Sequence, residues 1–243
     1  MKPVERAAYT FGALLILSGL IHLAILLISG GSWEGPLSLR KPTTFGLSFG
    51  VTLINVTWIA SFVSLENRTR TLLLAIFEAA CCVETSLVSL QAWRGVPSHF
   101  NVETPVDAAI AQALAVGGLT LVAVIVMLTV AAFRHRTSLP VPLRLAVRTG
   151  LVALVGAQVA GGVMIATGVR IVFSGDPQLA YATGGWLKPV HAALMHGILV
   201  LPLLAWLISR TPRDERTQVR IMWTGIALYA MVVAGAVAAS VPQ

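Results

Sequence analysis

Hydrophobic residues occur along this chain in long runs, which polar and basic segments separate. Seven of the runs are long enough to cross a bilayer, because about 20 helical residues span its hydrocarbon core. Their approximate limits are 7–29, 43–65, 71–93, 107–133, 146–170, 190–209 and 219–240. The pattern therefore predicts an all-α membrane protein, folded as a single seven-helix domain over residues 1–243.

The third run differs from the other six because it contains two carboxylates. Glu78 and Glu84 lie inside the apolar stretch, and Gln91 lies near its end. At about 100° per residue, Glu84 and Gln91 share one face of a helix, whereas Glu78 lies about 120° away. A carboxylate within a bilayer must face protein or water. We therefore expect the third helix to lie at the centre of the bundle.

Composition and charge support a membrane protein and its orientation. Hydrophobic residues make up 56% of the chain and charged residues only 11%, which excludes an ordinary soluble domain. Twelve of the 17 lysines and arginines fall on one side of the predicted spans. The positive-inside rule then predicts a cytoplasmic N-terminus and an outer C-terminus in the plasma (inner) membrane. The net charge of +7 thus needs no nucleic acid as a partner.

Histidines provide the strongest chemical signal. The stretch GWLKPVHAALMHGILVLPLLAW, residues 185–206, carries His191 and His196. Five positions apart, they diverge by about 140° on a helix and do not chelate one ion readily. His22 and His196 lie at a similar depth, roughly 10 Å below the outer ends of their helices. We therefore predict a buried layer with His22 and His196, and an outer rim with His191 and His99.

Two histidines on different helices at one depth are the arrangement that binds haem b in a helical bundle. The chain has no CxxCH motif, so such a haem is held without covalent links. Its propionates need cations on the outer side, where the sequence places Arg40, Lys41, Arg94 and Lys188. The sequence thus predicts haem b, serving electron transfer or redox or gas sensing, with a redox partner at the outer face.

Two other hypotheses remain open from the residues alone. The first is a zinc or copper site, with zinc activating water in a membrane hydrolase. Its candidate ligands are His22, His99, His191, His196 and Glu84. The second is a transporter without a cofactor, in which Glu78, Glu84 and Gln158 form a path for a proton or solute. Whether the protein is an enzyme stays open at this level.

Overall fold

The computed structural model describes residues 2–134, 138–183 and 185–240, and within them it is helical without strands. Its helices are α1 (Pro3–Ile28), α2 (Arg40–Phe62), α3 (Asn67–Trp93), α4 (Pro105–Arg134), α5 (Val141–Phe173), α6 (Pro177–Thr183), α7 (Lys188–Ser209) and α8 (Glu215–Ser240). All but α6 are long and apolar enough to cross a membrane. The prediction of an all-α protein with seven membrane-spanning helices is confirmed.

All seven long helices begin earlier than the apolar runs that predicted them. For instance, α2 begins at Arg40, although the apolar run begins near residue 43. Polar first turns are helical as well, and proline suits the first helical positions because it lacks the N–H that would otherwise be unpaired there. Pro3 and Pro105 occupy such positions in α1 and α4. Arg40 and Lys41 consequently lie in the first turn of α2.

The short helix α6 was not predicted. It begins at Pro177, and the backbone N–H of Leu179 donates to Oδ1 of Asp176 over 2.9 Å. This aspartate therefore acts as an N-cap. With only 7 residues and no long apolar run, α6 leaves no hydropathy signal.

Residue packing divides the chain into two compact units. Unit 1 contains Met1–Thr57, Glu66–Val124 and Ala166–Gly184, and unit 2 contains Trp58–Leu65, Ile125–Ile165 and Gly185–Gln243. A single domain over residues 1–243 stays a prediction.

Unit 1 is built on close contact between α1 and α2 and on the buried face of α3. A Cβ added to Gly46 in α2 would lie 2.6 Å from the backbone nitrogen of Gly19 in α1, so glycines let these backbones approach. Along α3, the residues buried are Leu73, Leu74, Phe77, Ala80, Cys81, Glu84, Thr85, Val88 and Gln91. Buried polar groups thus share one helix surface with the apolar core.

Unit 2 has its core where α5, α7 and α8 meet. Ala146, Leu201 and Met222 are almost fully buried there. The hydroxyl of Tyr229 in α8 donates to the backbone oxygen of Ala193 in α7. These contacts position the histidines of α7.

Candidate functional site

The most unusual buried group of unit 1 is the carboxyl of Glu84. Glu84 is 3% exposed, and its Oε1 has no hydrogen-bond partner among the described residues. Gly117 of α4 packs against this carboxyl, and a Cβ at that position would collide with Oε1. The glycine therefore makes the room that the carboxyl occupies between α3 and α4.

Two hydroxyls close to Glu84 in the sequence of α3 are also buried without a hydrogen-bond partner. Oγ1 of Thr85 and Oγ of Ser89 are buried and have no partner within the described chain. A buried polar atom left without a hydrogen bond costs about 1–3 kcal/mol, and few native groups remain so. Three such atoms therefore lie within two turns of α3, although Thr85 and Ser89 are about 100° and 140° from Glu84 around the helix.

Toward its end, α3 carries a second buried polar group, which is fully hydrogen-bonded. Gln91 is completely buried, and its Nε2 donates to Oδ1 of Asp107 over 2.9 Å. Arg94 forms an ion pair with the same oxygen at 2.6 Å. The hydroxyl of Thr104 lies 2.5 Å from the other carboxylate oxygen. This cluster, Gln91, Arg94, Thr104 and Asp107, joins the end of α3 to the start of α4.

Glu84 and Gln91 of the cluster lie on the same face of α3. Gln91 follows Glu84 by two helical turns, which places both on the same face, about 10 Å apart along the axis. Only Val88 and Leu87 lie between them near this face, and Val88 is fully buried. Unit 1 therefore has two separate buried polar groups on one face of α3, Glu84 in its middle and the cluster at its end, with apolar residues between them.

The cations expected to hold haem propionates have partners inside the protein. Arg94 pairs with Asp107, and Arg40 lies 3.4 Å from the carboxylate of Glu34. Lys41 and Lys188 also interact with other residues of the chain. From the sequence, Arg94 was expected to be available for a ligand. In the structure, the loop after α3 places Asp107 beside Arg94, and the two residues form a salt bridge.

His22 is buried as predicted, with 7% of its surface exposed, but both of its ring nitrogens are engaged. Nδ1 lies 2.8 Å from the backbone oxygen of Ser18, and Nε2 accepts a hydrogen bond of 3.0 Å from the indole N–H of Trp93. Since the indole can only donate, the tautomer assigned to His22 carries its proton on Nδ1. No nitrogen lone pair is left for iron, so the ring in this arrangement does not fit an axial haem ligand.

Of the two histidines of α7, only His196 was predicted to be buried, and that prediction is wrong. His196 is exposed, and its Nδ1 lies 2.7 Å from the backbone oxygen of Ala192 in its own helix. His191 is half-buried, and its Nδ1 lies 2.7 Å from the backbone oxygen of Ala157 in α5. The angle of about 140° between them was correct, but hydropathy does not tell which face meets α5. The common layer of His22 and His196 stays a prediction, because they belong to different units.

His99 lies in the loop between α3 and α4, where aromatic rings enclose it. Its ring centroid is 5.8 Å from that of Phe45 and 6.2 Å from that of Phe100. Phe100 has a φ of 66° and packs its ring on Gly168. Burial, together with the positive charge of Lys41, lowers the pKa of His99 well below its usual value. Its Nδ1 also lies 3.0 Å from the hydroxyl oxygen of Ser98, so the ring is held by both aromatic and polar contacts.

The five predicted metal ligands, His22, His99, His191, His196 and Glu84, do not form a preformed centre. Within the described ranges, no group of three or more His, Cys, Asp or Glu side chains is arranged to hold a metal ion. Zinc or copper binding stays a prediction.

Sequence reasoning missed two residues that define these sites. Trp93 and Gly117 both lie within apolar runs, where the hydropathy pattern does not single them out. The pairing of Gly117 with a buried glutamate in the preceding span was the available signal, since a carboxyl in a bilayer needs space and protein around it.

Comparison with known proteins gives no guide to these residues. No protein-family model matches the chain, and neither the curated proteins nor the solved structures contain a significant match.

Proposed function

We propose that this protein is a membrane transporter without a cofactor, in which Glu84 takes up and releases the proton that is moved or that drives a small polar solute. The observation that carries the proposal is the buried Oε1 of Glu84, which has no partner among the described residues. A carboxyl inside a membrane protein is costly to keep and is typical of proton relays and ion pathways.

The surroundings of Glu84 support the same function. The hydroxyls of Thr85 and Ser89, on a neighbouring face of α3, are further buried groups without a hydrogen-bond partner among the described residues. Water or a polar solute can satisfy such groups when the pathway is filled. About two turns farther along the same face, Gln91 donates to Asp107, which pairs with Arg94 where α3 ends.

Reconstitution into liposomes tests this function. Protein in vesicles that contain a pH-sensitive dye is exposed to an imposed pH gradient, and dissipation of the gradient is followed. We expect the wild type to dissipate the gradient faster than empty vesicles. Glu84→Gln keeps the shape of the side chain but cannot exchange a proton, so we expect the rate to fall to that of empty vesicles.

Glu78→Gln is the matched control for this experiment. Glu78 lies on the same helix, is half-buried, and occupies a face about 120° from Glu84. The path proposed here therefore differs from the one drawn from the sequence, because it assigns proton exchange to Glu84 and not to Glu78 or Gln158. We expect this variant to retain most of the flux. Equal rates for wild-type and empty vesicles, or full activity in Glu84→Gln, contradict the proposal.

Non-covalent haem b is a second candidate, serving electron transfer or redox sensing with a redox partner at the outer face. It is favoured by His196, which is exposed and whose Nε2 has no partner within the described residues. It requires Trp93 to release Nε2 of His22. A reduced-minus-oxidised spectrum tests it. Haem bands that disappear in both His22→Ala and His196→Ala favour it, whereas a colourless protein from haem-replete cells excludes it.

We also propose the plasma (inner) membrane as the location, with the N-terminus in the cytoplasm and the C-terminus outside. The support is the excess of lysine and arginine at one end of the spans. Single cysteines at Ser32 and at Thr217, labelled in intact cells with an impermeant thiol reagent, test this orientation in a background where Cys81 and Cys82 are serine. We expect labelling at position 32 only.

A further inference from the structure

The contact between the second half of α3 and the first half of α4 is arranged in three layers. In the first layer, the carboxyl of Glu84 lies against Gly117. In the third layer, Gln91 and Arg94 contact Asp107, where α3 ends and α4 begins. The two helices therefore run antiparallel along this contact, and the second layer separates the carboxyl from the helix ends.

The second layer is apolar and closely packed. Val88 of α3 forms a buried cluster with Ile110 and Leu114 of α4, in which the three residues are 0%, 8% and 4% exposed. The partly buried side chains of Leu87 and Phe45 pack against this cluster. A narrow apolar constriction in a membrane protein excludes water and ions. A proton that leaves the first layer toward the end of α3 therefore has to cross a dry layer.

The third layer consists of Gln91, Arg94, Thr104 and Asp107, and we call it the latch. The carboxylate of Asp107 is the acceptor for the other three side chains, since one of its oxygens accepts from two of them and the second accepts from Thr104. The residues that connect the two helices, 94–104, form a loop and not a tight turn, so the connection does not fix the distance between the helix ends. The ends are consequently held together by side chains that depend on one carboxylate.

We propose that the latch and the apolar layer form a gate over Glu84, which opens when the end of α3 and the start of α4 separate. This inference rests on the transport function proposed above, because it concerns access to the same carboxyl. A transporter exposes its site to the two sides of the membrane in turn, so each side needs a closure that opens. The structure holds this gate closed, since Val88 is fully buried and Asp107 keeps its three side-chain partners.

Labelling of a cysteine in the apolar layer tests the gate. Val88→Cys is introduced where Cys81 and Cys82 are serine, and the protein is reconstituted into nanodiscs, which leave both ends of the helices in water. The rate of reaction with an impermeant thiol reagent then measures how often this position becomes accessible.

Asp107→Ala breaks the latch in this experiment. It removes the acceptor that the latch shares, but the hydroxyl of Thr104 still accepts the backbone N–H at position 107, so the start of α4 stays capped. We expect Val88→Cys to react at least about tenfold faster in this variant, because removing one partner of a buried ion pair is strongly destabilising.

Glu34→Ala is the matched control, because it breaks the exposed salt bridge of unit 1 with Arg40 and removes one negative charge as well. We expect it to leave the labelling rate of Val88→Cys unchanged. Leu74→Cys is the control position, since Leu74 is fully buried near the start of α3. It should stay unlabelled in Asp107→Ala if only the helix ends separate.

Three outcomes overturn the gate. The first is equal labelling of Val88→Cys with and without Asp107→Ala, and the second is equal acceleration by Glu34→Ala. The third is labelling of Leu74→Cys at the same raised rate, which indicates general unfolding. Labelling does not require proton flux, so a failure of the gate is distinguished from a failure of the transport function, which the vesicle experiment measures separately.

Discussion

The indole nitrogen of Trp93 donates to Nε2 of His22 over 3.0 Å and so connects the end of α3 to α1. We expect Trp93→Phe to lower the free energy of unfolding by about 1 kcal/mol, because the buried imidazole loses its donor. Reversible unfolding in mixed micelles measures this difference.

Trp33→Phe is the control for that variant, because both tryptophans are exposed, 46% for Trp33 and 61% for Trp93, but Trp33 makes no hydrogen bond in the described chain. Its unfolding free energy should stay close to the wild-type value. An equal loss in both variants contradicts a role for the Trp93–His22 hydrogen bond.

The neighbouring glycines of α4 provide a sharp test of the Glu84 site. A methyl group at Gly117 would collide with Oε1 of Glu84, whereas nothing lies within 4 Å of a Cβ at Gly118. We expect Gly117→Ala to displace the carboxyl, to cost about 1–3 kcal/mol and to reduce proton flux severalfold. Flux in dye-loaded vesicles and unfolding in micelles are measured on the same preparations.

Gly118→Ala should leave flux unchanged and stability the same or slightly higher, because alanine favours helix over glycine. A similar loss of flux in both alanine variants argues against a specific contact with Glu84.

The two ion pairs of unit 1 should differ in strength. Arg94 and Asp107 are 2.6 Å apart with the carboxylate 3% exposed, whereas Arg40 and Glu34 are 3.4 Å apart with the carboxylate 80% exposed. Solvent screens the exposed pair, so we expect its coupling to stay below about 1 kcal/mol. Double-mutant cycles on unfolding should give a coupling for Arg94 and Asp107 that is at least twice as large.

Ionic strength provides a second readout of this difference. Salt screens exposed charges more than buried ones. The coupling between Arg40 and Glu34 should therefore decline as salt is added, and that between Arg94 and Asp107 should persist. Equal couplings with equal salt dependence contradict the burial seen for Asp107.

The lowered pKa of His99 predicts that the stability of the folded protein depends on pH. Because burial and the Lys41 charge lower its pKa in the folded protein, the unfolded chain binds a proton there first as the pH falls below about 6.5. Stability is therefore unaffected by this group above that pH and declines below it, until the folded pKa is reached. The midpoint of thermal unfolding, followed from about pH 7.5 to 5.5, measures the decline.

In His99→Asn this component of the pH dependence should be absent. His196→Asn is the control, because His196 is exposed and lies outside the aromatic enclosure of His99. A pH profile for His99→Asn that coincides with the wild-type profile contradicts the lowered pKa of His99.

The sequence alone determined the number of spanning helices and the presence of buried polar groups in α3. Both depend on local properties: an apolar run of sufficient length must be helical in a bilayer, and Glu84 and Gln91 share a face because of the helical repeat. The limits of the helices were less accurate, because polar first turns such as Arg40 and Lys41 carry no hydropathy signal.

Only the tertiary structure decided which groups are paired. The loop after α3 brings Asp107 to Arg94, the end of α3 brings Trp93 to His22, and α4 offers Gly117 but no hydrogen bond to Oε1 of Glu84. Such pairings depend on the rotation of each helix about its axis and on the path of the loops. Helix rotations and loop paths are determined jointly by several packed elements, so no single stretch of sequence predicts the pairings.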